Sequence, residues 1–246
     1  MPEDWKHANI TPLFKGGHKN RAEAVNSGPI SLTSITCKLM EHIVHIMNHF
    51  DLYKTLSDTQ HGFRKFRSCE TQSLQTINNL AKALNNREQV ISILLDFSKA
   101  FDKVCHPKLL LKLKHYGITG NILGWITDFL SDRTQRVMVR GTFFKPIKSG
   151  APSQGTVIGP LLFLVYTNDV PQCVKSKIAL FADDAYLYKV IKSEEDTLSL
   201  HNDIDQIVNW EKLWSMEFHP DKCFLLRITN KRKYTPGNYQ IHDHTP

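Results

Sequence analysis

The chain has 246 residues, a formal net charge of +7 and a pI near 9.1, with 41% hydrophobic and 22% charged residues. That is an ordinary globular composition, long enough for one large domain or two closely joined ones, and it argues against disorder. The five cysteines are odd in number, far apart and without a C-x-x-C pair, which argues against a zinc or disulfide framework and for a reducing compartment. The longest apolar run, "PLLFLVY", is too short to span a bilayer, and no secretory leader is evident. The expectation is an intracellular chain, nuclear or cytoplasmic, with no membrane partner. The basic excess gathers in "FRKFRSC", in Lys103 to Lys114 and in "NKRKY", which suggests a polyanion such as nucleic acid as a partner, while charge alone does not outweigh the alternative of solvated lysine faces.

In chain order, the first thirty residues are rich in proline and glycine and read as loops around one strand at "ANITPLF". "TSITCKLMEHIVHIMNHF" carries Leu39, Ile43, Ile46 and Met47 at helical spacing, with Ser34 or Thr36 as a cap, and predicts one helix. "ETQSLQTINNLAKALNN" predicts a second, with Leu74, Ile77, Leu80, Ala81 and Leu84 inward. "QVISILLDF" is a short buried strand ending at Asp96. Helices are expected over 106–116 and 121–130, then a hairpin turning at Gly141 in "TQRVMVRGTFFKPIKSG". The loop "SGAPSQGTVIGP" leads to a helix over 161–168. "KIALFADDAYLYKV" reads as strand, two-carboxylate turn, strand. A last amphipathic helix over 198–218 uses Leu200, Ile204, Ile207, Val208 and Trp214, and "HPDK" turns into the strand "CFLLRIT". This irregular order predicts α+β with an antiparallel sheet.

The carboxylates carry the chemical signal. Asp183 and Asp184 sit between Phe181, Ala182, Ala185 and Tyr186, a setting in which ionised groups need a tight exposed turn or a cation. Together with Asp96 they suit divalent ions, because Mg²⁺ prefers carboxylate oxygens and leaves positions for substrate phosphates. An acid/base pair and a solvated turn remain equal alternatives from the residues alone, although adjacent strand residues facing opposite sides weaken the former.

Six segments in order resemble the reverse transcriptases of non-LTR retrotransposons, in particular their jockey-like and CR1-like branches. They are "WKHANITPLFKGG" with "GPISLTS", "QHGFRKFRSCETQ", "LLDFSKAFDKVCHPKLLLKL", "SGAPSQGTVIGPLLFLVYTNDV", "LFADDAYLY" and "WEKLWSMEFHPDKC". The resemblance implies the fingers and palm of a right-hand polymerase, an antiparallel palm sheet packed on helices, and RNA-directed DNA polymerase activity. Residues 1–90 would be fingers, 91–235 palm with a fingers-derived insertion near 103–150, and 236–246 a truncated tail. Asp96 and Asp183 would hold two Mg²⁺ ions, or Mn²⁺, with Asp184 in support. The Phe97 backbone, Lys15, Gln154 and Gly155 would meet the deoxynucleoside triphosphate, and Phe101 would reject a 2′-OH. Arg64, Lys65 and Arg67 would lie against an RNA template paired with a DNA primer.

Three departures stand beside these matches. The family's Tyr-Arg before Pro-Ile is Ser27–Gly28 here, an extra Ser153 separates Pro152 from Gln154, and the thumb, primer grip and endonuclease lie outside the chain. The last of these makes a thumb or endonuclease on another chain an expected partner. They also define an alternative function: a catalytically decayed or host-retained remnant that only binds nucleic acid.

Overall fold

A computed structural model of the chain describes residues 1–17, 20, 22–23, 26–44, 46–149, 155–237 and 239–241. The first expected strand forms as β1 (His7–Phe14), antiparallel to β2 (Ser27–Leu32) and parallel to β4 (Thr134–Val139). Pro12 faces Pro29 in the β1–β2 ladder; β2 is the sheet edge and β1 leaves β4 after Ile10, so both prolines sit where a missing N–H is tolerated. The hairpin from β4 to β5 (Thr142–Phe143) turns through Arg140 and Gly141, both left-handed, as a two-residue primed turn demands. β6 (Ile147–Lys148) then returns to β4.

These strands belong to a unit formed by Met1–Thr55 and Val104–Val165, which also holds α1 (Ile35–Ile43), α2 (Met47–Leu52), α4 (His106–His115) and α5 (Gly120–Leu130); α6 (Gly159–Thr167) begins in it. The single helix expected over residues 33–50 is two. Cys37 and Glu41 form the buried stripe of α1, while Leu39 and Ile43 are exposed. Continuing that stripe would bury Asn48 and turn Phe50 outward. The break after Ile43 re-phases the chain so that Ile46, Met47 and Phe50 are buried instead.

Glu41, fully buried, receives the backbone N–H of Val157 (2.6 Å) and of Ile158 (2.9 Å), immediately before α6. The carboxylate thus fixes the end of the loop that follows β6. Burial, with the negative Glu41 next in weight, pushes the Cys37 thiol up to about 11. The buried Arg133 lies 4.6 Å over the Phe129 ring; burial lowers its pKa, and Cys37 and Glu41 oppose that shift. Glu41 is therefore the counter-charge of this interior. We expect Glu41→Ala to lower the stability of the chain by about 3 kcal/mol or more, because it strands a buried cation and two amides. Urea unfolding followed by circular dichroism measures it, and a loss below about 0.5 kcal/mol would contradict the assignment.

The second unit, Leu56–Lys103 and Tyr166–Pro246, is built on a four-stranded antiparallel sheet in the order β7-β8-β3-β9. Its strands are β3 (Gln89–Asp96), β7 (Lys177–Phe181), β8 (Asp184–Ile191) and β9 (Phe224–Ile228). On one face Ile91, Ile93 and Leu95 align with Leu187 and Ile178, and α7 (Glu194–Trp214) supplies buried Leu200, Ile204, Ile207 and Trp210 to this unit. On the other face α3 (Cys69–Asn85) covers only the far end, where Ala83 and Leu80 pack on Val90, Tyr188 and Ile228. Leu74 and Ile77 of α3, expected inward, are exposed. With both faces of β3 covered except near Asp96, the strand needs a continuous apolar run instead of alternation.

Residues 56–90, expected with the fingers, share this unit with the palm strands. The reason is main-chain pairing: Thr59 and His61 bond both sides of Leu180 on the β7 edge. Tyr239 and Ile241, in the expected tail, are buried, with Tyr239 stacked on His201 at 4.6 Å. Among the described residues no helix is long and apolar enough to cross a membrane.

Candidate active site

β3 delivers Asp96 to the open end of the sheet, and the ladder sets Asp184 directly opposite it. Cross-strand partners share a face, so these two carboxylates stand side by side on the side that α3 leaves uncovered. Leu94, Phe224 and Leu226 on the same face are exposed around them. Asp183 is not a strand residue: it forms, with Ala182, the two-residue turn that joins Phe181 to Asp184. Ala182 takes a left-handed φ of 54°, which costs a residue with a Cβ about 1 kcal/mol and must be offset by its surroundings.

The electrostatics are those of crowded anions. The Asp184 carboxyl is raised above the usual carboxylate range, by burial first and then by the charges of Asp183 and Asp96, with Lys222 opposing. Lys222 reaches Asp96 directly, Nζ to Oδ2 at 2.6 Å, from the turn that precedes β9. The Asp96 carbonyl accepts from His219 N–H (2.8 Å) and Ser98 N–H donates to the Glu217 carbonyl (2.7 Å), which locks the strand end. These flanking bonds make Phe97 a non-bonded pair with Phe218, so its own amide and carbonyl point away from that segment. The Phe97 ring is core, stacked on Phe218 at 4.2 Å.

The donor set fits a divalent cation. Three adjoining carboxylates, with Asp184 raised by burial and by the charges of the other two and with Lys222 beside them, form a site that gains from positive charge. Among the described residues no three His, Cys, Asp or Glu side chains are preassembled around one point. Mg²⁺ needs only one or two carboxylates, with phosphates and water completing its shell.

The other expected site residues distribute as follows. Phe101 is half-buried in the turn after β3. Arg64 donates to the carbonyls of Ser57 (2.7 Å) and Leu56 (3.4 Å), and Arg67 pairs with Asp58 at 2.6 Å, so both guanidinium groups tie down the 56–58 loop. Lys65 between them is exposed. In the first unit, exposed Lys15 follows β1, and its Cε lies 3.8 Å from where a Cβ on Gly28 would stand. Gly155 has a φ of 114°, and a Cβ there would meet the Ser31 carbonyl oxygen at 2.4 Å, so only glycine fits. Gln154 and Ser153 lie outside the described residues. The sequence reading missed Lys222, whose "HPDK" setting looks like any solvated turn.

Residues 19–238 match the family model described as reverse transcriptase (RNA-dependent DNA polymerase). The chain belongs to this family. It is 30% identical over 250 residues to the RNA-directed DNA polymerase from mobile element jockey of Drosophila melanogaster, covering 96% of this chain and 27% of that protein. It is 31% identical over 245 residues to a probable RNA-directed DNA polymerase from transposon BS of the same species, covering 92% of this chain and 27% of that one. The chain thus spans about a quarter of the length of the curated relatives it matches. Among solved structures, telomerase from Candida tropicalis with a fragment of telomeric RNA superposes with a TM-score of 0.63 at 11% identity, over 95% of this chain and 43% of that one. That likeness establishes the reverse transcriptase fold. An unrelated carboxylate hydrolase is thereby excluded, and the α+β fingers-and-palm class stands.

A raised Asp184 pKa has a definite linkage sign. The folded chain holds this proton more tightly than the unfolded one, so ionising Asp184 opposes folding at neutral pH, and the penalty is relieved as pH falls through the raised value. The residue is only partly buried, so solvent screens the effect and it is modest. We expect Asp184→Asn to raise Tm in metal-free buffer at pH 7.5, with the gain shrinking at pH 4. Scanning fluorimetry at both values measures it; a Tm lowered at pH 7.5 would contradict the electrostatic reading.

Proposed function

We propose that this chain is the polymerase region of a non-LTR retrotransposon enzyme, joining deoxynucleotides to a primer 3′-OH opposite an RNA template. The observation that carries the reading is the register of Asp96 against Asp184 with Asp183 in the adjoining turn, in a chain of the reverse transcriptase family. Asp96, Asp183 and Asp184 would hold two Mg²⁺ ions. When bound, such ions supply the charge that activates the attacking hydroxyl and stabilises the departing pyrophosphate.

The chain's own residues do the positioning. Asp96, paired with Lys222 here, would hold the cation, and the Lys222 ammonium would supply positive charge beside it. The Phe97 backbone, directed away from 217–219, would face the triphosphate and the ion. Phe101 lies in the turn five residues after Asp96, where a ring beneath the sugar would exclude a 2′-OH. Lys15 and the glycine-only position at 155 are further candidates for contact with a triphosphate. Lys65 is the exposed cation for template phosphate, and Arg64 and Arg67 hold its loop.

Gly28 favours a second reading, a remnant that binds nucleic acid without synthesis, since the family's arginine fork is absent there. Primer extension on an RNA template with Mg²⁺ and deoxynucleotides separates the two. The polymerase reading predicts extension by the parent chain that falls to background in Asp183→Ala; a remnant gives no extension from either, with salt-dependent RNA binding indifferent to Asp183. Because no atom lies within 3.8 Å of an added Cβ, an arginine side chain can enter at Gly28 beside Lys15. Gly28→Arg with Ser153 removed is expected to raise extension by up to about 100-fold. An unchanged rate would show that neither position limits catalysis.

A further inference from the structure

Gln60, in "QHGFR", has been given no role so far, yet it touches the carboxylate turn. The side chain is buried, with 3% of the residue exposed. Its Oε1 accepts two backbone N–H groups, from Gly62 at 2.7 Å and from Ala182 at 3.0 Å, and its Nε2 donates to the Ala182 carbonyl at 3.3 Å. The amide orientation is fixed by its partners, two donors converging on one atom and an acceptor on the other. Both main-chain groups of Ala182 are therefore held by one planar side chain.

The backbone on either side brings that amide into place. His61 N–H donates to the Leu180 carbonyl at 2.8 Å and Leu180 N–H donates to the Thr59 carbonyl at 2.9 Å, a short parallel bridge along the outer edge of β7. Gly62 then passes so close that a Cβ on it would stand 2.2 Å from the Ala182 nitrogen. Nothing larger than glycine allows the approach.

We infer that Gln60 is a positioning residue for the metal-binding carboxylates: its amide holds Ala182 in the left-handed conformation and so sets where Asp183 and Asp184 stand. The inference rests on the polymerase reading for its purpose, but the contact itself does not. A two-residue hairpin loop ordinarily takes glycine or asparagine where φ is positive. Alanine there would open toward relaxed alternatives, each moving Asp183 relative to Asp96, unless both its N–H and C=O are bound. Glutamine offers an acceptor and a donor on one rigid group without charge. Glutamate could replace the acceptor but not the donor, and would add a fourth anion beside Asp183; leucine replaces neither.

Two measurements on the full chain test this: amide hydrogen exchange at Ala182, and Mn²⁺ affinity by electron paramagnetic resonance. In Gln60→Leu the Ala182 amide is expected to exchange at least about tenfold faster, and Mn²⁺ to bind about 10- to 100-fold more weakly, as when the outer partners of metal ligands are lost. Amides of Ile93 in β3 and Ile207 in α7 should keep the parent's protection. Gln60→Glu, which retains the acceptor, should keep Ala182 protected. Parent-like exchange at Ala182 in Gln60→Leu would overturn the inference, as would an equal loss of protection at Ile93 and Ile207, which marks a merely structural role. If Mn²⁺ binding by the parent does not depend on Asp183, the polymerase reading fails, and exchange at Ala182 still decides whether Gln60 holds the turn.

Discussion

Mutual repulsion among three carboxylates at one end of an antiparallel ladder is the constraint on which the second unit depends. Asp96 and Asp184 face each other across β3 and β8, Asp183 adjoins them in the turn, and the charges of Asp183 and Asp96 raise the Asp184 pKa. A sheet end left to itself would splay. Here the strand end is locked by residues 217–219, the hairpin by residues 59–62, and one positive charge, Lys222, is placed on Asp96. Stability is given up locally and supplied by the apolar rows behind, where Ile93 and Leu187 are completely buried. Such sites are characteristic of function, since burial and like charges shift pKa values where a cation or substrate is to be received.

The first unit solves a related problem differently. Glu41 is a buried anion without a lysine partner at the surface; it is satisfied by the amides of Val157 and Ile158 and balanced by buried Arg133. Its carboxylate anchors the chain just after Gly155, the glycine that the resemblance places in the nucleotide pocket. One unit therefore gathers its anions at an open sheet end, and the other uses an anion to hold a loop.

Legibility in the sequence followed the range of the interactions. β3, the β7–β8 hairpin and α7 were readable because their signals are local: an apolar run ended by Asp96, a break at the carboxylates between two apolar runs, a 3.6-residue period; the expected two-carboxylate turn holds only Asp183, with Ala182, and Asp184 is the first residue of β8. The break between α1 and α2 was not, because Leu39, Ile43, Ile46 and Met47 keep helical spacing while the buried stripe actually passes through Cys37 and Glu41. Leu74 and Ile77 mimic a core face and are exposed. The grouping of residues 56–90 with the palm strands depends on main-chain bonds to Leu180, which carry no side-chain pattern. Lys222 and Gln60 were missed for the same reason: a lysine in a turn and an amide in a loop look solvated until the distant residue that binds them, Asp96 or Ala182, is in place.

On the proposed function, a divalent cation relieves the repulsion among Asp96, Asp183 and Asp184. The most direct measurement is the melting temperature of the full chain as a function of Mg²⁺ concentration, for the parent and for Asp96→Asn. Millimolar Mg²⁺ is expected to raise Tm of the parent, as any ligand of the native state must, and to leave Asp96→Asn unmoved. An equal rise in both, or none in the parent, would contradict it.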